Sequence, residues 1–159
     1  MVEGVDAVLA AIKASEVAQA LSRSRWVYAG ANAAHIFSIA LLVGSLVPMD
    51  GRLLGLWRSI PIATLARVLV PVAALGLAMA MTTGLMLASV RPERYLAIGF
   101  MQAKLALVAT GAALALLLHA RAGLWLDRVR PGQARLHGAL SLACWLGALV
   151  CGRFIAYAH

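Results

Sequence analysis

Charged side chains are scarce in this chain of 159 residues. Lys, Arg, Asp and Glu make up 13% of the sequence, hydrophobic residues make up 63%, and the mean hydropathy is +0.89. A soluble domain is typically about half apolar and about a quarter charged. So large an apolar surplus does not fit inside the core of so short a soluble chain. The composition therefore excludes an ordinary soluble domain and indicates an integral membrane protein.

Acidic residues and cysteines are also few, with six acids and two cysteines in the whole chain. Cys144 and Cys151 are seven positions apart within one apolar segment. On a helix that spacing places them about two turns apart, too far for a disulfide. No hydrolase triad, nucleotide-binding loop or pair of carboxylates is recognisable, and Asp50, Glu93 and Asp127 are predicted in loops. The sequence thus offers no constellation for acid–base chemistry on a soluble substrate.

The formal net charge is +8, a value that can indicate nucleic-acid binding. Here the basic residues are single arginines beside apolar blocks, and they do not form a patch on a polar domain. We therefore expect no nucleic-acid partner. The arginines are better explained as signals that orient the chain in the lipid bilayer.

Four apolar segments are each long enough to span a bilayer, which takes about 20 residues of helix. They cover residues 26–47, 65–89, 100–120 and 137–157. The predicted fold class is an all-α integral membrane protein, with residues 25–159 forming a four-transmembrane-helix up-down bundle with short connections. Within the fourth segment, Ala143, Gly147 and Cys151 recur every four residues, a spacing of small side chains that favours contact with another helix.

Residues 1–24 have a different pattern. Apolar residues recur there at near-helical spacing among charged ones, at Val2, Val5, Leu9, Ile12, Val17 and Leu21. This predicts an amphipathic interfacial helix lying on the membrane surface, with Ser15 able to cap a second short helix. The alternative is a frayed terminus.

The loops predict the orientation of the bundle. Seven basic residues flank or occupy the first and third loops: Arg52, Arg58, Arg67, Arg121, Arg128, Arg130 and Arg135. The other side has five, partly balanced by acids: Lys13, Arg23, Arg25, Arg91 and Arg94. Basic loops favour the cytoplasm. We therefore expect a multi-pass protein of the bacterial inner membrane with both termini periplasmic.

Three basic side chains are predicted in the outer half of the bundle, on three different helices. At about 1.5 Å per residue, His35 lies roughly 13 Å from the outer boundary, and Lys104 and Arg153 lie roughly 6 Å from it. Taken singly, Lys104 and Arg153 can extend to the headgroups, and His35 can donate to a neighbouring carbonyl. Their shared depth, without an acid in the predicted spans, instead favours one site for an anionic ligand.

Two further groups can bind a cofactor. His119 ends the third span and His137 begins the fourth at nearly equal depth, so they can ligate one metal or haem iron, or be ordinary interfacial histidines. His35 and His119 differ in depth by roughly 15 Å and cannot share a haem. Met81 lies near the depth of His35 and can complete a His/Met iron site, bind Cu(I), or simply pack.

Four strings in order carry a family resemblance: "NAAHIFSIALLVGSLVPMDGRLLGLW", "TGLMLAS", "FMQAKLAL" with "LLLHA", and "WLGALVCGRFIAY". Together the strings resemble a bacterial family of small four-helix inner-membrane proteins of unknown function. More distantly, the layout is similar to cytochrome b561-type and HemJ-type haem proteins and to the membrane domain of CopD-type copper proteins. The sequence departs from the b561 pattern by lacking a second histidine at the depth of His35.

These likenesses imply a haem-b-binding protein for electron transfer or haem-dependent redox chemistry, with quinol or a periplasmic redox protein as partner. His35 would be an axial ligand of the iron, and Lys104 and Arg153 would pair with the propionates. Such a protein can be a membrane oxidoreductase. Two other interpretations stay open: a copper or small-anion transporter or binder, and a non-catalytic scaffold subunit. In the transporter or binder interpretation, a homo-oligomer can supply groups that one copy lacks.

Overall fold

The computed structural model describes residues 2–158, and within them all regular structure is helical. The helices are α1 (Val2–Ala14), α2 (Glu16–Arg23), α3 (Arg25–Leu54), α4 (Ile62–Ala88), α5 (Pro92–Ala97), α6 (Gly99–Ala122) and α7 (Pro131–Phe154), followed by a 3₁₀ turn (Ile155–Tyr157). Helices α3, α4, α6 and α7 are long and apolar enough to cross a membrane. The four predicted apolar helices are therefore present.

Helix α3 is longer than the sequence predicted. It begins after Ser24, whose hydroxyl accepts from the Val27 amide, and it continues to Leu54. Pro48 lies inside it, and the proline costs only one backbone bond, which the packed helix tolerates. Gly55 ends the helix in the left-handed region, with φ +107°. The predicted loop position of Asp50 is therefore wrong, because this residue lies in α3 and is 3% exposed.

The long helices pack in the order α4, α3, α7, α6. Glycines permit close approach at both faces of α3. A Cβ atom on Gly76 of α4 would lie 2.6 Å from the backbone nitrogen of Leu42, and one on Gly138 of α7 would lie 2.9 Å from the carbonyl oxygen of Asp50. Both helices therefore contact the backbone of α3 itself, and α3 lies between α4 and α7.

One end of the bundle has a compact apolar core. Side chains of α3, α4, α6 and α7 meet there, including Met49, Leu53, Ala66 and Leu118. We call this the Asp50 end, and the opposite end, where α3 and α6 begin, the His35 end. Within residues 2–158, α4 and α6 do not pack closely against each other, although they are consecutive long helices. The side of the bundle between them is thus not closed by a helix–helix interface.

The outer surface of the long helices is apolar. Leu116 is 72% exposed and Val68 is 64% exposed, and Leu85 and Ile36 are similarly outward-facing. A soluble protein rarely presents such continuous apolar faces to water. The surface is suited to association with a lipid bilayer.

The segment before the bundle consists of two short helices. Ser15 caps α2, as predicted, and accepts from the Ala18 amide at 3.3 Å. Ala18 and Leu21 of α2 are buried, and α2 contacts both α3 and α4. The side chains of Val2, Glu3 and Val5, which belong to the predicted amphipathic pattern, lie outside the described residues. The sequence did not predict α5, whose Glu93 is 3.8 Å from Lys13 of α1.

The small residues predicted to face another helix do so only in part. Gly147 faces α6, where an added Cβ would lie 3.1 Å from Leu107 Cδ1. Cys151 is half-buried near Lys104, whereas Ala143 is exposed. The predicted stripe therefore faces α6 at Gly147 and not at the exposed Ala143.

Candidate functional site

His35 is half-buried on α3 and is hydrogen-bonded to α4. Its Nδ1 lies 2.9 Å from Thr83 Oγ1, and the same hydroxyl lies 2.7 Å from the carbonyl oxygen of Met79. A hydroxyl has one proton and a carbonyl only accepts, so Thr83 donates to Met79. His35 Nδ1 is then the donor to Thr83. In the neutral ring this assigns the lone pair to Nε2.

A glycine on α4 makes room for the imidazole. An added Cβ on Gly84 would lie 3.1 Å from His35 Cε1 and 3.9 Å from Nε2. The ring edge that contains Cε1 therefore lies over bare backbone. Thr83 and Gly84, two consecutive residues of α4, together fix the orientation of His35.

Lys104 extends from α6 across α7. Its Nζ lies 3.5 Å from the position of a Cβ on Gly152, so the amino group lies over this glycine. The side chain is half-buried, and it is within electrostatic range of His35. In the described part of the chain, the one ion pair joins Lys13 and Glu93, so Lys104 has no acidic partner there. The structure thus brings His35 and Lys104 to the same region of the bundle.

Arg153 lies at a similar level and points elsewhere. Its guanidinium donates to the Tyr157 hydroxyl at 2.7 Å and stacks over the same ring at 5.0 Å. The residue is exposed, while its neighbour Gly152 faces α6. Successive residues differ by about 100° around a helix, since there are about 3.6 per turn. The structure therefore holds Arg153 on the outer surface, away from the side of α7 that faces Lys104.

Met81 is also turned outward. It is 47% exposed, whereas Thr83 and Gly84 of the same helix contact His35.

His119 and His137 lie on the closely packed pair α6 and α7. Three contacts define the register of this antiparallel pair: Lys104 with Gly152, Leu107 with Gly147, and Gly111 with Trp145. The same register places His119 opposite His137, so the predicted common level of the two rings fits the packing. His137 Nδ1 lies 3.0 Å from the Gln133 carbonyl, while His137 Nε2 and His119 Nδ1 are buried without a partner. Within residues 2–158, no group of three or more His, Cys, Asp or Glu side chains is placed to hold a metal ion.

Sequence reasoning missed two polar residues. Thr83 sets the tautomer of His35, and the available signal was a threonine pair in an apolar helix at the depth of the histidine. Asp50 is buried with Oδ2 lacking a partner, and its carboxyl lies beside Ser141 of α7. The signal for Asp50 was the i, i+4 spacing of Met49 and Leu53 ahead of Gly55, which continues a helix to a glycine stop.

Comparison with protein-family models, curated proteins and solved structures finds no match to this chain.

Proposed function

We propose that the chain is a haem-b-binding protein of the bacterial inner membrane, in which His35 Nε2 would hold the iron. The observation that carries this proposal is the hydrogen bond from His35 Nδ1 to Thr83. Histidines that bind a metal through one nitrogen almost always donate the other N–H to a fixed acceptor, which sets the tautomer and the ring orientation. His35 has this arrangement in the tautomer that donates from Nδ1 to Thr83, and that tautomer leaves the lone pair on Nε2. The residues present therefore fit an imidazole ligand.

The position of Lys104 favours a ligand that also has an anionic group. A cation at the centre of a bilayer costs at least about 2.5 kcal/mol on insertion scales, less near the edge, and a carboxylate beside it offsets that cost. Haem has two propionates, so we assign one to Lys104. The guanidinium of Arg153 is held on Tyr157, and it would need to leave that ring to contribute.

Haem supplies one-electron chemistry when bound, and the protein sets its ligand, its access to water and the polarity around it. The electron partner is quinol from the bilayer or a redox protein on the periplasmic side. The side of the bundle between α4 and α6 is the natural approach for a partner dissolved in lipid, because within residues 2–158 these two helices do not pack closely against each other.

Reconstitution tests the proposal. We expect the purified full chain, titrated with haem in detergent, to bind one equivalent and to develop a Soret band typical of histidine ligation. A colourless protein that stays colourless through the titration, while eluting as a single folded species, would show that the haem assignment is wrong.

The role of Lys104 gives a separate prediction. Lys104→Gln should weaken haem binding by roughly ten- to a hundredfold, since one charge-assisted interaction is worth roughly 1.5–3 kcal/mol. Lys13→Gln is the matched control, because Lys13 pairs with Glu93 on the short helices. Haem titration of both variants measures the effect, and equal affinities would remove Lys104 from the site.

We propose that both termini are periplasmic and that α1 and α2 lie along the membrane surface. The loop between α6 and α7, with Arg128 and Arg130, is then cytoplasmic. A single reporter cysteine at Arg128, in a chain with Cys144 and Cys151 replaced by alanine, should be shielded from an impermeant thiol reagent in intact spheroplasts. It should react once the membrane is permeabilised. Labelling before permeabilisation would reverse the orientation.

A second candidate function is binding of a small anion without haem, and the absence of an acidic partner for Lys104 within the described residues favours it. The two candidates separate cleanly. Anion binding predicts a colourless protein whose melting temperature rises with the anion and whose Lys104→Gln variant loses that rise.

A further inference from the structure

A pocket of about 350 Å³ opens at the Asp50 end of the bundle. It lies where α3 ends, the α3–α4 loop turns, and α4 and α7 begin. Three arginines line it, Arg52, Arg58 and Arg135, together with apolar side chains such as Leu53 and Ile62. This pocket is far from His35, which is some twenty positions earlier on α3.

The charge in the pocket is of one sign. Its lining contains no carboxylate, and in the described part of the chain none of the three arginines forms an ion pair. Part of the guanidinium surface is fixed by the loop, because Arg52 donates to the Ile60 carbonyl and Arg58 Nε donates to the Gly55 carbonyl at 3.2 Å. A guanidinium has five N–H donors, so each arginine keeps donors for a ligand.

Backbone groups at two helix N-termini add to the positive electrostatic potential of the pocket. Ile62 begins α4 and Pro131 begins α7, and both residues line the pocket. Neither helix has a side-chain cap or an acid in its first turn. The amides of a first helical turn lack intrahelical partners, and the helix dipole gives this end a partial positive charge. The arginines and the two helix N-termini thus both favour an anionic ligand.

We propose that this pocket binds a phosphate group. Guanidinium groups recognise phosphate through paired, charge-assisted hydrogen bonds, and three of them line one concave site. The pocket lies at the end of helices that are long enough to span a bilayer, the level at which lipid headgroups are found. The phosphate belongs either to the headgroup of an anionic phospholipid or to a free phosphate ion, and the apolar part of the lining favours the lipid.

Binding measurements on the purified full chain test the proposal with three probes: short-chain phosphatidylglycerol, short-chain phosphatidylcholine and inorganic phosphate. We expect the wild type to prefer phosphatidylglycerol to phosphatidylcholine. Arg135→Gln and Arg58→Gln should each weaken that binding about tenfold, the loss expected for one hydrogen bond to a charged group. Arg121→Gln is the matched control, since Arg121 is an exposed arginine at the same end of the bundle and does not line the pocket.

The probes also separate the two sources. Competition by inorganic phosphate at matched concentration identifies a free phosphate site, whereas binding of phosphatidylglycerol that phosphate does not displace identifies a headgroup site. Equal binding of the two lipids with no effect of phosphate overturns the proposal. An equal loss of phosphatidylglycerol binding in Arg121→Gln and Arg135→Gln overturns it as well. If a variant does not fold, the wild-type preference among the three probes decides alone. None of these readouts depends on haem.

Discussion

Gly76→Ala is expected to destabilise the bundle by about 1–3 kcal/mol, the usual cost of overpacking. The added Cβ would lie 2.6 Å from the Leu42 nitrogen, 3.0 Å from its Cα and 3.1 Å from the Ser38 carbonyl oxygen. All three are backbone atoms of α3, so no side chain can rotate away to relieve the clash. To relieve the clash, α3 and α4 must move apart, and these two helices form the most extensive helix–helix contact in the described structure.

Gly44→Ala is the matched control on α3. An added Cβ there meets nothing within 4 Å, and alanine is a better helix former than glycine. This variant should unfold at the same denaturant concentration as the wild type or slightly higher. Unfolding in detergent, followed by circular dichroism, measures both variants. If Gly76→Ala proves as stable as Gly44→Ala, the close α3–α4 contact is wrong.

His35→Ala has the second large expected effect, the loss of the Soret band and of stoichiometric haem. The substitution removes the proposed iron ligand and leaves space at the α3–α4 contact. Thr83→Val is expected to be milder, because it keeps the shape of the side chain and removes the hydroxyl that accepts from His35 Nδ1–H and donates to the Met79 carbonyl. Loss of such a supporting hydrogen bond typically costs 10–100-fold in metal affinity, so we expect roughly tenfold or more weaker haem binding.

His137→Ala is the control for His35→Ala. It removes an imidazole of the same kind from the Asp50 end, where His137 lies one position from Gly138 and its contact with Asp50. The variant should keep the haem spectrum. A His35→Ala protein that retains the spectrum while His137→Ala loses it would move the site to the other end of the bundle.

The sequence predicted the four long helices because composition and length suffice for that purpose. It ended the first of them at 47, because proline and aspartate in "VPMDG" resemble a turn. Burial of Met49, Leu53 and Asp50 against α7 and the neighbouring helices overrides those local preferences, and such contacts are visible only in the folded bundle.

For the candidate site, the sequence could give depth but not direction. Counting residues at about 1.5 Å each placed His35, Lys104 and Arg153 at comparable levels. Which way each side chain points depends on how its helix is rotated against its neighbours. That rotation turns Lys104 toward Gly152 and leaves Arg153 on Tyr157. The Thr83 hydroxyl became relevant only once α3 and α4 were packed.

A reduced-minus-oxidised absorption spectrum of the wild-type protein, purified from membranes without added haem, tests the assignment of His35 most directly. We predict a reduced haem-b spectrum with sharp α and Soret bands that is absent from His35→Ala protein prepared in parallel. A flat difference spectrum for wild-type protein that also fails to take up added haem would contradict the account.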